Sequence, residues 1–230
     1  MRAIFCVLAT AALFAGGSTA AAGRHVTLGR SVEGRPIVAY ELGDPASPRK
    51  VLVVGCVHGD EPGGKAITRR LAAAAAPAGV DLWIVPSFNP DGEAAGVRGN
   101  AHGVDLNRNF PLGWQRLVGI HDSGPRPLSE PESRVAYRLI LRLRPGLSIW
   151  FHQHMNVVDE SGGNLAIERR FAAIVGLHAE RLVREPGSIV TWENDRLRRG
   201  TAFVVELPAG TLSHAAAARF AHAVDVLARG

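Results

Sequence analysis

Cysteine is scarce in this chain of 230 residues, which contains only Cys6 and Cys56. Cys6 lies in an apolar segment at the N-terminus, so a chain that loses this segment keeps Cys56 alone. A single cysteine cannot form an internal disulfide, and we expect the fold to depend on packing. Cys56 itself lies inside an apolar run, where a cysteine is usually a small buried side chain rather than an extra metal ligand.

The N-terminal apolar run is short for a membrane-spanning helix. It follows Arg2 and covers residues 3–15, whereas a spanning helix needs about 20 apolar residues. Small residues come next, with A-x-A-like cleavage sites that end at Ala20 or Ala22. This order is typical of a signal peptide over residues 1–22. We expect residues 23–230 to be a single domain, exported to the periplasm or outside the cell and not held in the membrane.

Clustered positive charge is also lacking. The formal net charge is +5, but the basic residues are scattered along the chain rather than gathered into one run. This distribution argues against nucleic acid as a partner. The chain shows no internal repeats or low-complexity linkers either, which favours one domain, and we expect this domain to be a monomer.

The remaining chain alternates between apolar runs and amphipathic stretches. An opening hairpin is predicted over residues 25–29 and 36–42. Further predictions are strands over 51–57, 82–87, 147–151 and 201–207, and helices over 66–76, 168–183 and 213–227. A capping box at Ser129–Glu132 predicts another helix that runs through Leu143. Strands that alternate with helices indicate an α/β fold with a mixed, mostly parallel central sheet flanked by helices on both faces.

One long segment, residues 89–128, shows no sustained period and is dense in Gly, Asn, Asp and Pro. Loops of this length in compact domains are usually functional. Earlier in the chain, His58-Gly-Asp-Glu61 places an imidazole and a carboxylate three residues apart, after a predicted buried strand. A turn there could direct both side chains at one point, although such pairs are common by chance.

The loop supplies the context for this pair. It contains Asn89-Pro-Asp-Gly92, then Arg98-x-Asn100, then Gly103-Val-Asp-Leu-Asn-Arg-Asn-Phe-Pro111. With these motifs the sequence resembles the zinc carboxypeptidase family, the relatives of carboxypeptidase A, over most of residues 23–230. The resemblance implies a hydrolase that cleaves a peptide or amide bond near a free carboxylate.

The resemblance also implies a site that binds one zinc ion. His58 and Glu61 match two zinc ligands of the family, and His152 in Ser148-Ile-Trp-Phe-His152 matches the third. Two nitrogens and a carboxylate leave a position open for water, whose pKa the metal lowers toward about 7. Glu206, in Phe203-Val-Val-Glu-Leu207, matches the family's general base.

Four loop residues match other parts of the family's site. Arg98 matches the arginine that polarises the scissile carbonyl. Asn107 and Arg108 match the pair that binds the substrate's terminal carboxylate, for which a guanidinium offers two parallel hydrogen bonds. Asp105 matches a carboxylate that steadies a zinc-bound imidazole, and we expect it beside His58.

Some features leave alternatives open. His154 would share a strand face with His152, so either could be the third ligand, and the end of the apolar run favours His152. Relatives often carry a mobile tyrosine upstream of the general base, but the tyrosines here, Tyr40 and Tyr137, are far from Glu206 in sequence. Trp192 is a candidate pocket residue.

The substrate is indicated less directly. Asp60 stands where pancreatic-type members have an arginine, and His-Gly-Asp-Glu resembles murein peptide amidases, which cut the D-Glu to diaminopimelate link of bacterial wall peptides. The expected partner is a peptide with a free carboxylate, with a muropeptide as one candidate. Two alternatives remain: a deacylase of the succinylglutamate desuccinylase and aspartoacylase type, or a catalytically silent zinc-containing peptide-binding module.

Overall fold

The computed structural model describes residues 23–230, so the predicted signal peptide over residues 1–22 lies outside the described residues. Strands and helices alternate within the described range. The strands are β1 (Arg24–Arg30), β2 (Pro36–Gly43), β3 (Lys50–Val54), β4 (Asp81–Val85), β5 (Leu147–Asp159), β6 (His178–Glu180) and β7 (Thr201–Pro208). The helices are α1 (Gly64–Ala72), α2 (Pro90–Ala95), α3 (Pro131–Leu143), α4 (Leu165–Val175), α5 (Ile189–Arg196) and α6 (His214–Arg229).

All these strands belong to one mixed sheet. Its order is β1-β2-β4-β3-β5-β6, and β7 pairs with β5. The hairpin β1–β2 and the β2–β4 pair are antiparallel, whereas β3 is parallel to both β4 and β5. The predicted α/β class with a mostly parallel centre is confirmed.

The sheet separates two apolar cores. On β3, Val51 and Val53 face one core while Leu52 and Val54 face the other, as the alternation of a strand buried on both sides requires. Helices α1, α4 and α6 cover the first face. Helices α3 and α5 cover the second, together with part of the long loop. Helices on both faces were predicted.

The hairpin and the final helix agree with the sequence prediction, whereas β3 and α1 end earlier. β3 ends at Val54 rather than at residue 57. Helix α1 ends at Ala72 rather than at residue 76. Pro77 follows shortly after, and a proline disfavours helical backbone at the residue before it.

Three short elements were not predicted. Helix α2 lies inside the long loop, where the side chain of Asn89 accepts a hydrogen bond from the Gly92 N–H and caps the helix. Helix α4 ends at Val175, before a left-handed Gly176, so the predicted helix over 168–183 is wrong in its second half, which contains β6. Helix α5 begins after Ser188, whose hydroxyl accepts from the Thr191 N–H.

The predicted capping box before α3 is also wrong. The helix is preceded by Glu130, which makes no side-chain cap, and Ser129 donates instead to the Glu130 carboxylate. Glu132 accepts from the N–H of Val32 in the β1–β2 turn. Glu132 also accepts from Asn100, so it ties the long loop to the hairpin. Among residues 23–230, no helix has the length and apolar character that would let it cross a membrane.

Candidate metal centre

A turn after β3 brings His58 and Glu61 together. The Glu61 N–H donates to the His58 carbonyl at 3.0 Å, and this turn directs both side chains to the same side. Gly59 lies against the backbone of Gly92, where an added Cβ would be only 1.9 Å from a carbonyl carbon. A glycine is required at this contact between the turn and the long loop.

His152 joins this pair from the neighbouring strand. Its Nδ1 lies 3.2 Å from Nδ1 of His58 and 3.1 Å from Oε2 of Glu61. Oε1 of Glu61 lies 3.0 Å from Nδ1 of His58. Ligands of a tetrahedral zinc ion, with bonds of about 2.0–2.1 Å, are separated by about 3.3 Å. His58, Glu61 and His152 are thus grouped as zinc binding requires.

Asp105 lies behind His58. Its Oδ1 accepts from Nε2 of His58 at 3.0 Å, and because a carboxylate can only accept, this bond leaves the His58 Nδ1 lone pair facing the other two ligands. The side chain of Asp105 is fully buried in the 3₁₀ turn region at Leu106–Arg108. The expectation that Asp105 lies beside His58 matches this position.

The electrostatics of the group favour a cation at its centre. Burial disfavours a charge on His58, but Asp105 and Glu61 outweigh this effect and raise the pKa of His58 to about 9. Burial also opposes ionisation of Glu61, yet hydrogen bonds from His152 and His58 hold the pKa of Glu61 well below its usual range. The pKa of Asp105 is likewise held low by the His58 and Arg98 charges. Ionised carboxylates surround the imidazoles.

Arg98 bridges the ligand Glu61 and Asp105. Its Nε donates to Oδ2 of Asp105 and its Nη1 to Oε1 of Glu61, both at 2.9 Å. Nη2 makes no hydrogen bond to any residue within 23–230, and the side chain lines the adjacent pocket. Two of the three guanidinium nitrogens are therefore held in place, while the third, Nη2, is available to a substrate.

Asn107 and Arg108 follow on the same 3₁₀ turn. The Asn107 side-chain oxygen accepts from the N–H of Ile189, which opens α5, so its amide group keeps two donors for another partner. Arg108 donates through Nη1 to the Asn107 carbonyl, and its buried Nε has no hydrogen-bond partner within the described part of the chain. Both side chains line the pocket.

Glu206 lies on β7 directly opposite His152 on β5. Its Oε2 is buried and makes no hydrogen bond to any described residue. A buried carboxylate oxygen without a donor is costly unless a metal, a water or a substrate satisfies it. The carboxylate lines the same pocket as the three grouped ligands.

The chain turns back shortly after His154. Val157 again lies opposite Glu206, the residue that His152 already faces, so β5 does not continue straight through this segment. Both histidines line the pocket, but His152 is buried whereas His154 is exposed. His154 is not part of the ligand group.

These side chains open into a pocket of about 950 Å³. Thr191 lines it, but Trp192 does not: it is buried between Phe110 and Tyr137, so its assignment as a pocket residue is wrong. No tyrosine among residues 23–230 lines the pocket. Cys56 is fully buried as expected, its thiol donates to the His58 carbonyl, and burial raises its pKa to about 11.

Other residues around the site carried no recognisable sequence signal. Gln153 donates its backbone N–H to Glu61 and its side-chain amide to the carbonyls of Pro208 and Gly210. Its side-chain oxygen accepts from Gly63. Gln153 thus connects the ligand turn with the end of β7. Its position next to His152 was the only available hint.

Comparison with known proteins places this arrangement in context. The zinc carboxypeptidase family model matches residues 20–160. The chain is 31% identical to murein peptide amidase A of Escherichia coli strain K12 over 147 residues, which cover 57% of this chain and only 60% of that relative. It is 30% identical to murein peptide amidase A of Vibrio campbellii over 201 residues, which cover 78% and 77% of the two chains.

Solved structures also resemble this chain. Murein-tripeptide amidase MpaA from Escherichia coli O157 superposes with a TM-score of 0.73 at 26% identity, over 90% of this chain and 92% of that one. Carboxypeptidase A from Helicoverpa armigera gives a TM-score of 0.76 at 20% identity, over 90% and 68% of the chains, which is a likeness of fold.

Proposed function

Because the chain belongs to the zinc carboxypeptidase family, we propose that it is a zinc-dependent peptide or amide hydrolase that cleaves next to a free carboxylate. The observation that carries the proposal is the grouping of His58, Glu61 and His152, with donor atoms 3.0–3.2 Å apart, in a pocket that also receives Glu206, whose buried Oε2 has no partner among the described residues. Zinc bound by these three residues supplies an acidified water and a Lewis acid for the scissile carbonyl.

Glu206 is the general base of this proposal. It faces His152 across the β5–β7 pair, and its Oε2 is free to accept a proton from water and pass it to the leaving nitrogen. Arg98 would use its free Nη2 to stabilise the negative charge that develops on the carbonyl oxygen. Hydrogen bonds to Glu61 and Asp105 fix this guanidinium before substrate binds.

Asn107 and Arg108 form the proposed carboxylate clamp. Arg108 is buried and always charged, and the amide of Asn107 adds neutral donors, so together they favour a terminal carboxylate over a neutral group. Their place on one 3₁₀ turn with Asp105 fixes the distance between clamp and metal ligands. The cleavage position follows from that distance.

We further propose cell-wall peptides as the substrate class. Two named relatives are murein peptide amidases, and Asp60 lines the pocket beside the ligand turn. Residues 1–22 would act as a signal peptide, and residues 23–230 would work as a monomeric single domain in the periplasm or outside the cell. N-terminal sequencing of exported protein tests this localisation. Cleavage is expected after Ala20 or after Ala22.

The test of function compares purified zinc-loaded protein with Glu206→Gln and the control Glu180→Gln, a matched change on exposed β6. Muropeptides, peptides with a free C-terminus and peptides with a blocked C-terminus are incubated with and without chelator, and products are read by mass. We expect cleavage next to a free carboxylate, its loss on chelation, and at least a 100-fold loss of kcat in Glu206→Gln with zinc still bound.

Other outcomes select other functions. Turnover of acyl amino acids in place of peptides would favour the deacylase, and tight peptide binding without any cleavage would favour a silent binding module. Full activity of Glu206→Gln would contradict the assignment of the base.

A further inference from the structure

The side-chain amide of Gln153 forms a bridge between two segments that reach the pocket. Its Oε1 accepts from the N–H of Gly63 at 2.7 Å, and Gly63 follows the ligand Glu61 by two residues. Its Nε2 donates to the carbonyls of Pro208 and Gly210, at 2.9 and 2.8 Å. These hydrogen bonds join parts of the chain that are distant in sequence but meet beside the metal ligands.

Gly63 leaves the space that this amide occupies. A Cβ on Gly63 would lie 2.7 Å from both Cδ and Oε1 of Gln153, which is closer than nonbonded atoms approach. The backbone of Gly63 has helical torsion angles, with φ at −56° and ψ at −37°, which alanine adopts without strain. Room for the Gln153 side chain, rather than a special backbone conformation, therefore requires a glycine at this position.

The two carbonyls that accept from Gln153 follow the proposed general base. Pro208 comes two residues after Glu206 on β7, and Gly210 begins the segment over residues 210–212 that lines the pocket. Oε2 of Glu206 has no hydrogen-bond partner among residues 23–230. This carboxylate oxygen is therefore positioned through its strand, and the bridge holds the end of that strand.

The metal ligand Glu61 does not depend on the bridge. Its carboxylate accepts from Arg98 and from the backbone N–H of Gln153, and it also contacts both ligand histidines. A change of the Gln153 side chain leaves these contacts in place. The ligand group should therefore survive the loss of the bridge, whereas the spacing between the ligand turn and the end of β7 should no longer be fixed.

We propose that Gln153 is a positioning residue: its amide fixes the strand that carries Glu206 relative to the turn that carries Glu61, and so aligns the general base with the metal ligands. This inference rests on the proposed function, in which Glu206 takes a proton from water. A displacement of about 1 Å in a reacting group can cost about 100-fold in rate. Loss of the bridge should therefore lower kcat more than it changes substrate binding.

The first test replaces Gln153 by Met, which has a similar size and cannot form the bridge. We expect kcat to fall at least about tenfold, with KM and zinc affinity each within about threefold of wild type. Gln115→Met is the matched control, because Gln115 is exposed and lies outside the pocket, and it should keep the wild-type kcat. Melting temperatures well above the assay temperature show that the variants are folded.

Gly63→Ala disturbs the same bridge from its other end, since the added methyl group takes the place of the amide. It should lower kcat as Gln153→Met does. The double variant should be within about twofold of the slower single variant, because one bridge can be lost only once. Full kcat in Gln153→Met, or losses that multiply in the double variant, would overturn the proposal.

A second test needs no turnover. In a phosphonate analogue of acetyl-alanyl-alanine, the phosphonate replaces the scissile amide and has the tetrahedral geometry of the reaction's intermediate. Calorimetry with zinc-loaded protein should show that Gln153→Met weakens binding of this analogue at least about tenfold and binding of N-acetyl-alanine less than about threefold. Equal weakening of both ligands would overturn the alignment role. Analogue binding by a wild-type protein that cleaves nothing would overturn the proposed function alone.

Discussion

Asp105 connects three parts of the site through one carboxylate. Oδ1 accepts from His58 and from the Asn107 N–H, and Oδ2 accepts from Arg98. A ligand histidine, the residue proposed to stabilise the oxyanion and the start of the clamp thus depend on the same buried group. A change at Asp105 should weaken metal binding more than it destabilises the fold.

Replacement of Asp105 by Asn should weaken the metal site. The amide keeps the size of the side chain but no longer holds the His58 proton on Nε2, so the tautomer with a proton on the ligand nitrogen gains population. Zinc affinity should fall about 10–100-fold in competition with a chromophoric chelator. Asp195→Asn, an exposed control, should bind zinc like wild-type protein. Equal affinities of the two variants would contradict this role of Asp105.

At the scale of elements, a buried acid links α5 to β5. Glu193 accepts from the Ser148 hydroxyl and from Nε1 of Trp150, which share the β5 face with His152. The same helix carries Val190 and Thr191 to the pocket. Burial raises the pKa of Glu193 to about 7, because these two neutral donors compensate only part of the lost solvation.

This acid should make stability depend on pH. A raised pKa means that the folded state binds more protons than the unfolded state between about pH 4.5 and 7, so stability falls as pH rises through this window. The share of Glu193 is on the order of 3 kcal/mol. The Glu193→Gln variant is unfolded with denaturant at pH 5 and at pH 8. Its free energies of unfolding at the two pH values should differ less than those of wild-type protein.

Glu168 on α4 is a second buried acid of this kind, with its pKa also raised to about 7 by burial, so part of the fall should remain in the variant. Glu180→Gln should keep the full wild-type difference. An unchanged pH dependence in Glu193→Gln would show that this carboxyl does not carry the effect.

At the scale of the whole molecule, the metal group joins separate segments of the chain. His58 and Glu61 lie in the turn after β3, and His152 lies on β5, more than 90 residues later. A ligand that binds only the folded state stabilises it by mass action. Zinc should therefore stabilise the whole domain and not only its site.

Thermal unfolding tests this expectation. Zinc at about 100 times its Kd adds about 2.7 kcal/mol, which corresponds to roughly 5–10 °C for a domain of this size. His152→Ala should lose most of this shift, and the exposed His154→Ala should keep it. The opposite result would make His154 the third ligand.

Local patterns in the sequence were sufficient to predict much of the secondary structure of this molecule. Apolar runs predicted the strands that carry His152 and Glu206, and the motifs of the long loop identified Arg98, Asp105, Asn107 and Arg108 as residues to find near the metal ligands. The strand predictions succeeded because burial periodicity acts over a few neighbours, whereas the roles of the loop residues were implied by the resemblance to the family. β6 and α5 were not predicted, since the conformation of short segments with weak periodicity depends on what they pack against.

The sequence by itself determined the family, the sheet and the side chains that could hold zinc. Only the tertiary structure brings His152, rather than His154, together with His58 and Glu61, because the meeting of segments far apart along the chain is not encoded in the two-residue spacing. It also placed Trp192 in the core and the amide of Gln153 between Gly63 and Pro208. These contacts join residues far apart along the chain, and the packing of whole elements, rather than any local propensity, sets their distances.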